Sequence, residues 1–297
     1  MQLITTPFKL EDIETMAQAG ANAFLFGTPF FSMRAVAEYR MEQLQEIRER
    51  TKQTNTEMLI LVNRFFTEEE LPKLRQHLTH LKEQDVDGII FSDDALLAYA
   101  KELGMEHLLI YQPDTLLTNH MDIDFYLHQG IKRAVLSKEI TIEEIQSIAN
   151  KSDPSRLELI IHGRLLMMHS KRKLLSNYME FTKQNRSLTN EKDLYIVEDT
   201  RNDRMPILED EHGTHIFSGF VQCAFKEIER LKHLKINDLR IDGIFQNSAY
   251  LTNIIRLYHQ CIQGAITGEQ AEIMFQELYP HEPISSGFYY QRTSKTK

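Results

Sequence analysis

The sequence predicts an α/β fold, a parallel barrel of eight β/α units, on three observations. Short apolar runs alternate with amphipathic segments through the first 160 residues. The loops between them are short, and the alternation resumes once more near residue 238. Alternation of this kind gives a parallel sheet covered by helices, joined by right-handed crossovers. An open, doubly wound sheet satisfies the same pattern. Open sheets of eight strands are less common than the closed form, which favours a (β/α)8 TIM-type barrel.

The first strand is expected at Leu3–Thr5, the second at Ala23–Phe26 and the third at Met58–Val62. Gly88–Phe91, Leu108–Tyr111, Ala134–Leu136 and Leu157–Ile161 follow, and Asp238–Ile241 is the eighth. Between them Leu10, Ile13, Met16 and Ala17 share one helical face, as do Leu71, Leu74, Leu78 and Leu81, and Ile142, Ile145 and Ile148. Thr67 with Glu70 and Thr141 with Glu144 have capping-box spacing at helix starts. The repeat is interrupted after the seventh strand, which is expected to break at His162-Gly163. Residues 179–193 read as polar loop, and Leu194–Glu198, Arg204–Glu209 and Thr214–Phe217 as short strands, the last two turning around His212-Gly213. Helices at Ala224–Leu234 and Tyr250–Gln263 return to the repeat. The expected organisation is a barrel over 1–162 and 219–265, an inserted loop and small β-subdomain over 163–218, and a C-terminal extension over 266–297 with a frayed end.

Composition narrows the function. The net charge of −9 argues against a surface that grips DNA or RNA throughout, though not against a local patch such as Lys171-Arg172-Lys173. Two cysteines, Cys223 and Cys261, are too few for a disulfide framework or a four-thiolate metal site, and both read as packed. No apolar run is long enough to span a bilayer, and the N-terminus lacks a signal-peptide pattern, so a cytoplasmic protein without membrane partners is expected. No phosphate loop, GxSxG elbow or HExxH helix is present. His212 and His215 are spaced for a metal, but a hairpin turn separates such residues, and no metal is expected.

In a barrel, chemistry collects at the C-terminal ends of the strands. Those ends carry Arg34, Asn63, Asp93, Lys138, Glu139, His162, Gly163 and Asp242. His162, Asp242 and Glu139 are the candidate acid–base groups. Arg34, Asn63, Asp93, Lys138 and Gly163, with Arg172 and Tyr178 just beyond, are candidate contacts for a polar or anionic substrate. Asp93, Ser137 and Asp242 also suit helix capping.

Six segments in order resemble peptidase family U32, the collagenase-like proteases: FGTPFFSMRA (26–35), LSKEITIEEI (136–145), LELIIHGRLLMMHSKRKLLSNY (157–178), MPILEDEHGTHIFS (205–218), LRIDG (239–243) and SGFYY (286–290). The resemblance implies a barrel. It also implies a role beside relatives that hydroxylate the tRNA wobble uridine, ribosomal RNA or ubiquinone precursors, some as paired subunits. Several relatives hold an iron–sulfur cluster on four cysteines. Here Leu166 and Lys173 stand at the first two positions, and no cysteine follows Asn185-Arg186, so no cluster is expected. The arginine that commonly follows the last strand is also missing, Asp242-Gly243-Ile244 standing there.

The chain is most similar to the short, cysteine-poor member, the first of a Gram-positive pair. That implies a non-cluster subunit in prephenate-dependent 5-hydroxyuridine formation, with a longer cysteine-bearing U32 paralogue as partner and tRNA reached through the complex. Two other implications stand beside it: a peptidase acting on extended chains, and a catalytically silent scaffold.

Overall fold

The computed structural model describes residues 1–184, 194–197 and 203–291. Eight parallel strands close a barrel: β1 (Gln2–Thr5), β2 (Ala23–Gly27), β3 (Glu57–Val62), β4 (Gly88–Phe91), β5 (Leu109–Tyr111), β6 (Arg133–Val135), the first part of β7 (Leu157–Ser170), and β11 (Asp238–Ile241). Each strand pairs with its sequence neighbour. β11 closes the ring by pairing with both β7 and β1, Asp238 lying opposite Glu158 and Gln2. Closure excludes the open-sheet alternative. The covering helices are α1 (Asp12–Ala19), α2 (Leu44–Gln53), α3 (Leu71–Glu83), α4 (Asp94–Leu103), α5 (His120–His128), α6 (Ile142–Ala149), α8 (Ile228–His233) and α9 (Ser248–Ile262).

Strand alternation sorts the side chains into two cores. Ile4, Ala23, Leu25, Leu59, Ile90, Ile110 and Val135 point inward and fill the barrel. Leu3, Phe24, Phe26, Met58, Ile60, Ile89, Phe91, Leu239 and Ile241 point outward beneath the helices. Both capping boxes form: Glu70 accepts the Thr67 amide at 2.8 Å, and Glu144 the Thr141 amide at 2.7 Å. At the N-terminal end of the strands the inward face carries charge. Glu158, fully buried, is bonded by Arg133 at 2.7 Å and by Arg240, and Arg133 reaches Asp238 at 3.1 Å. Burial opposes ionisation of Glu158, but Arg240 and Arg133 hold its carboxyl below the ordinary value.

The expected break at His162-Gly163 does not occur. β7 continues to Ser170 because its distal half finds a new antiparallel partner, β10 (Gly213–Cys223), with Cys223 opposite His162 and Thr214 opposite Ser170. β10 pairs with β9 (Met205–Asp210) around the expected turn at His212-Gly213, and β9 with β8 (Tyr195–Ile196). The expected polar loop from residue 179 also begins late, because α7 (Leu174–Thr182) runs four residues into it. Residues 185–193 of that loop lie outside the described residues. The helix expected from Ala224 starts at Ile228.

The tail contains α10 (Gly268–Leu278), which the periodicity analysis did not predict, and β12 (Ile284–Ser285), paired with β10. A Thr267/Gln270 capping box starts α10, and Ala271 and Phe275 anchor it. No helix among the described residues is long and apolar enough to cross a membrane.

Candidate active site at the barrel mouth

The C-terminal ends of the strands surround an open cleft of ≈ 900 Å3, entrance solvent included. Its charged lining comes from the ends of several strands: Arg34 after β2, Asp114 after β5, Lys138 after β6, Arg164 on β7, and Arg240 and Asp242 at the end of β11. Arg34 Nη2 bonds Asp114 Oδ2 at 2.9 Å, and Lys138 Nζ donates to the Asp114 carbonyl at 3.2 Å. Arg34 and Asp114 both adopt left-handed backbone, φ 56° and 64°. Such geometry costs about 1 kcal/mol or more per residue and clusters at functional sites.

The electrostatics are strained as well. Burial pulls the Lys138 ammonium down from its ordinary value, against the attraction of Asp114 and Glu139. Burial pushes the Asp242 carboxyl up, although the Ile244 amide donates to it at 2.8 Å. Asp114 moves the other way: burial opposes its charge, but Arg34 and Lys138 together hold it low. Arg34 Nη1 is buried with no hydrogen-bond partner, as is Arg164 Nε, although the two terminal nitrogens of Arg164 are engaged by Ser218 O at 2.9 Å and Glu282 at 2.7 Å. An unsatisfied buried guanidinium nitrogen beside a second cation can donate to a carboxylate oxygen.

Of the residues the sequence nominated, Arg34, Lys138, Asn63 and Asp242 line this cleft. Asn63 is already committed, since its side-chain amide accepts from Met33 N at 2.8 Å and donates to Met33 O at 3.3 Å. It holds the loop that carries Arg34.

His162 is a correction. A register shift between β7 and β11 at Arg240/Ile241 marks a bulge, and beyond it His162 faces away from the mouth. It is fully buried among Phe225, Tyr250, Tyr258 and Phe275. Tyr250 Oη lies 2.9 Å from Nε2 and Tyr258 Oη 3.4 Å from Nδ1. Tyr258 gives its hydroxyl proton to Ile161 O at 3.0 Å and so can only accept from the imidazole. That puts the ring proton on Nδ1 and makes Nε2 the acceptor for Tyr250. Burial drives the His162 pKa down to about 3, and the ring is neutral.

Gly163 is required by backbone rather than ligand. At φ 128° a Cβ would lie 2.8 Å from Asp242 Cβ, so only glycine lets the ends of β7 and β11 meet. Asp93 is also a structural group: it caps α4 through Ala95 N at 2.9 Å and accepts Phe66 N at 2.9 Å. Glu139 is partly exposed in the turn after β6 and does not line the cleft. Arg172 and Tyr178 are exposed on the arm built on β7, also away from the cleft lining.

The sequence reading missed Asp114, Arg164 and Arg240. Asp114 follows Pro113, three residues beyond the end of β5, where a turn was predictable. Arg240 alternates with Leu239 and Ile241, and that alternation already pointed it into the barrel.

The cysteines do not suit a cluster. Burial pushes the Cys223 thiol up to about 12 and the Cys261 thiol up to about 11, and Leu166 and Lys173 offer no thiolate. The positions after Asn185-Arg186 fall outside the described residues. Among the described residues no three His, Cys, Asp or Glu converge to hold a metal ion.

A closed (β/α)8 barrel with a cationic cleft at its mouth defines the class of protein. The profile of peptidase family U32 matches residues 8–297, and the chain belongs to that family. It is 27% identical over 304 residues to tRNA hydroxylation protein P2 of Bacillus subtilis, covering 98% of each chain. It is 23% identical to tRNA hydroxylation protein P1 of the same organism, covering 89% of this chain and 63% of that longer one. The short relative is therefore the second of the pair, the reverse of the expected order. A solved U32 peptidase shares the fold, with TM-score 0.52 at 11% identity over 82% of this chain and 92% of that one.

Proposed function

We infer that this chain is a subunit of a cytoplasmic system that hydroxylates the wobble uridine of tRNA to 5-hydroxyuridine. It takes prephenate as co-substrate and works without an iron–sulfur cluster of its own. Its partner is a longer, cysteine-bearing U32 paralogue, and tRNA is reached through that complex. The observation that carries this reading is the buried, unpartnered Arg34 Nη1 beside Lys138 in the cleft. Two neighbouring cations suit a dicarboxylate, and Asp242, held protonated more readily than an ordinary carboxyl, can donate to an anion. The names of the two Bacillus relatives agree with it.

Deleting the gene should remove 5-hydroxyuridine from total tRNA as read by nucleoside mass spectrometry. The wild-type gene should restore it and Arg34→Ala should not. Unchanged nucleosides in the deletion strain would sink the reading. Gelatin or peptide cleavage by the purified chain, lost on Asp242→Ala, would establish the peptidase alternative. Modification that survives alanine at Arg34, Lys138 and Asp242 would establish the scaffold.

A further inference from the structure

α7 carries a wide apolar face that the described residues cover only in part: Leu174, Leu175, Tyr178 and Met179 line a groove with Tyr195, Ile207 and Ile216, and Phe181 stands clear of it. Its nine residues put Phe181, Leu174, Tyr178, Leu175 and Met179 on one side and Ser176, Asn177 and Glu180 on the other. None of them is buried; Phe181 is 86% and Tyr178 56% exposed. The helix is nonetheless held in place. The Glu209 carboxylate on β9 accepts the first free amides, Leu175 N at 2.8 Å and Ser176 N at 3.2 Å, and Leu175 packs on Ile207 and Ile216. The exposed rings are thus presented on a fixed support.

Positive charge surrounds them. Lys171, Arg172 and Lys173 form the exposed turn between β7 and α7, and none pairs with a carboxylate among the described residues. The Lys171 ammonium lies 5.5 Å from the centroid of Phe65, a 39% exposed ring after β3, which also stacks on His169. The Arg204 guanidinium lies 4.9 Å from the centroid of Tyr195, itself 42% exposed. Cations and open rings are therefore interleaved along one arm of a chain whose net charge is −9. That pattern suits a single-stranded nucleic acid, with phosphates meeting the cations and bases stacking on the rings. The acidic remainder of the surface repels phosphate and leaves the arm as the favoured landing place.

We propose that α7 and the basic turn before it form the docking surface for an RNA loop, with Lys171, Arg172 and Lys173 on phosphates and Tyr178 and Phe181 under unpaired bases. This rests on the tRNA reading above and deepens it: within that complex this chain itself contributes a direct contact surface for the RNA.

The test is fluorescence anisotropy of a labelled anticodon stem-loop titrated with the full chain across a salt series. The triple variant Lys171→Ala, Arg172→Ala, Lys173→Ala should bind at least tenfold more weakly, with a log–log salt slope smaller by about 2. Phe181→Ala should weaken binding about tenfold and leave the slope unchanged. Lys101→Ala, on α4, should behave as wild type. Equal melting temperatures show that the variants are folded. No binding by the wild-type chain, or equal affinity in all variants, overturns the proposal. So does Phe181→Ala that leaves RNA binding intact but releases the paralogue subunit on copurification, which would make the face a protein contact. Arm-dependent RNA binding by a chain whose deletion leaves tRNA nucleosides unchanged would keep this surface and remove the hydroxylation reading. Arm-independent binding with loss of the modified nucleoside would do the reverse.

Discussion

His162 and Lys138 each lie at the end of a barrel strand, and both are buried, yet they occupy opposite kinds of environment. His162, outside the barrel wall, has both ring nitrogens met by tyrosine hydroxyls and four aromatic rings around it. Lys138, inside the mouth, shares a cleft with Arg34, Asp114 and Asp242, where a guanidinium nitrogen stays unmet. Burial alone therefore does not mark a site. A buried polar group whose valences are all satisfied is holding the fold, and one with a valence left over inside an open cleft, as at Arg34, can meet a ligand.

The strongest test of that contrast is a pair of substitutions. Lys138→Met keeps the length of the side chain and removes a charge that burial already disfavours. It should cost little stability, within about 1 kcal/mol, while modification falls roughly 100-fold, since one charge-assisted bond to substrate is worth about 1.5–3 kcal/mol. His162→Ala should do the opposite. It opens a cavity among aromatic rings and strands the Tyr250 hydroxyl, while Tyr258 keeps Ile161 O, costing about 3 kcal/mol in urea unfolding. The modification rate per folded molecule should be unchanged. A stable but inactive His162→Ala would place His162 back in the chemistry and break the comparison.

The same contrast sets a pH dependence. His162 and His77 both have native pKa values of about 3, lowered chiefly by burial from 6.5. Between those values the unfolded chain binds more protons than the native one, so stability falls as pH drops below 6.5. The slope is about 1.4 kcal/mol per pH unit for each histidine. Asp238, raised to about 6 by burial, binds its proton in the native state first and acts with the opposite sign as pH falls from 6 toward 3.8. The clean measurement is therefore the difference between wild type and His162→Gln. Urea midpoints from pH 7 to pH 5 should show a shallower acid loss in the variant, and parallel curves would mean that His162 is not held neutral.

The barrel was legible because its evidence is local. The inward Ile4, Leu25, Leu59 and Ile90 and the outward Phe24, Met58 and Ile89 are separated by a two-residue period that any strand imposes. Arg34, Lys138 and Asp242 were legible as strand-end residues for the same reason. The direction of His162 was not, because a bulge reverses a side chain without leaving a mark in composition. The onward run of β7 was also hidden, since its partner β10 lies about forty residues later and supplies the bonds that make 163–170 a strand. α7 depends on Glu209 from another strand for its cap. α10 could have been found, because Thr267 and Gln270 have capping-box spacing ahead of Ala271 and Phe275.

The smallest expected effect concerns Asp93, which the sequence offered both as a substrate contact and as a cap. One carboxylate oxygen takes the Ala95 amide in the first turn of α4, and the other takes Phe66 N in the loop after β3. Both oxygens are thus used by backbone, and neither reaches the cleft. Asp93→Ala removes a cap and a tether together, a loss of about 1–2 kcal/mol. Asp93→Asn keeps an oxygen for the α4 cap and should recover part of that loss. Neither substitution should change the substrate dependence of modification. A raised KM with unchanged stability would mean that Asp93 meets substrate after all, and the boundary between fold-holding and ligand-holding groups would have to be drawn one strand further round the mouth.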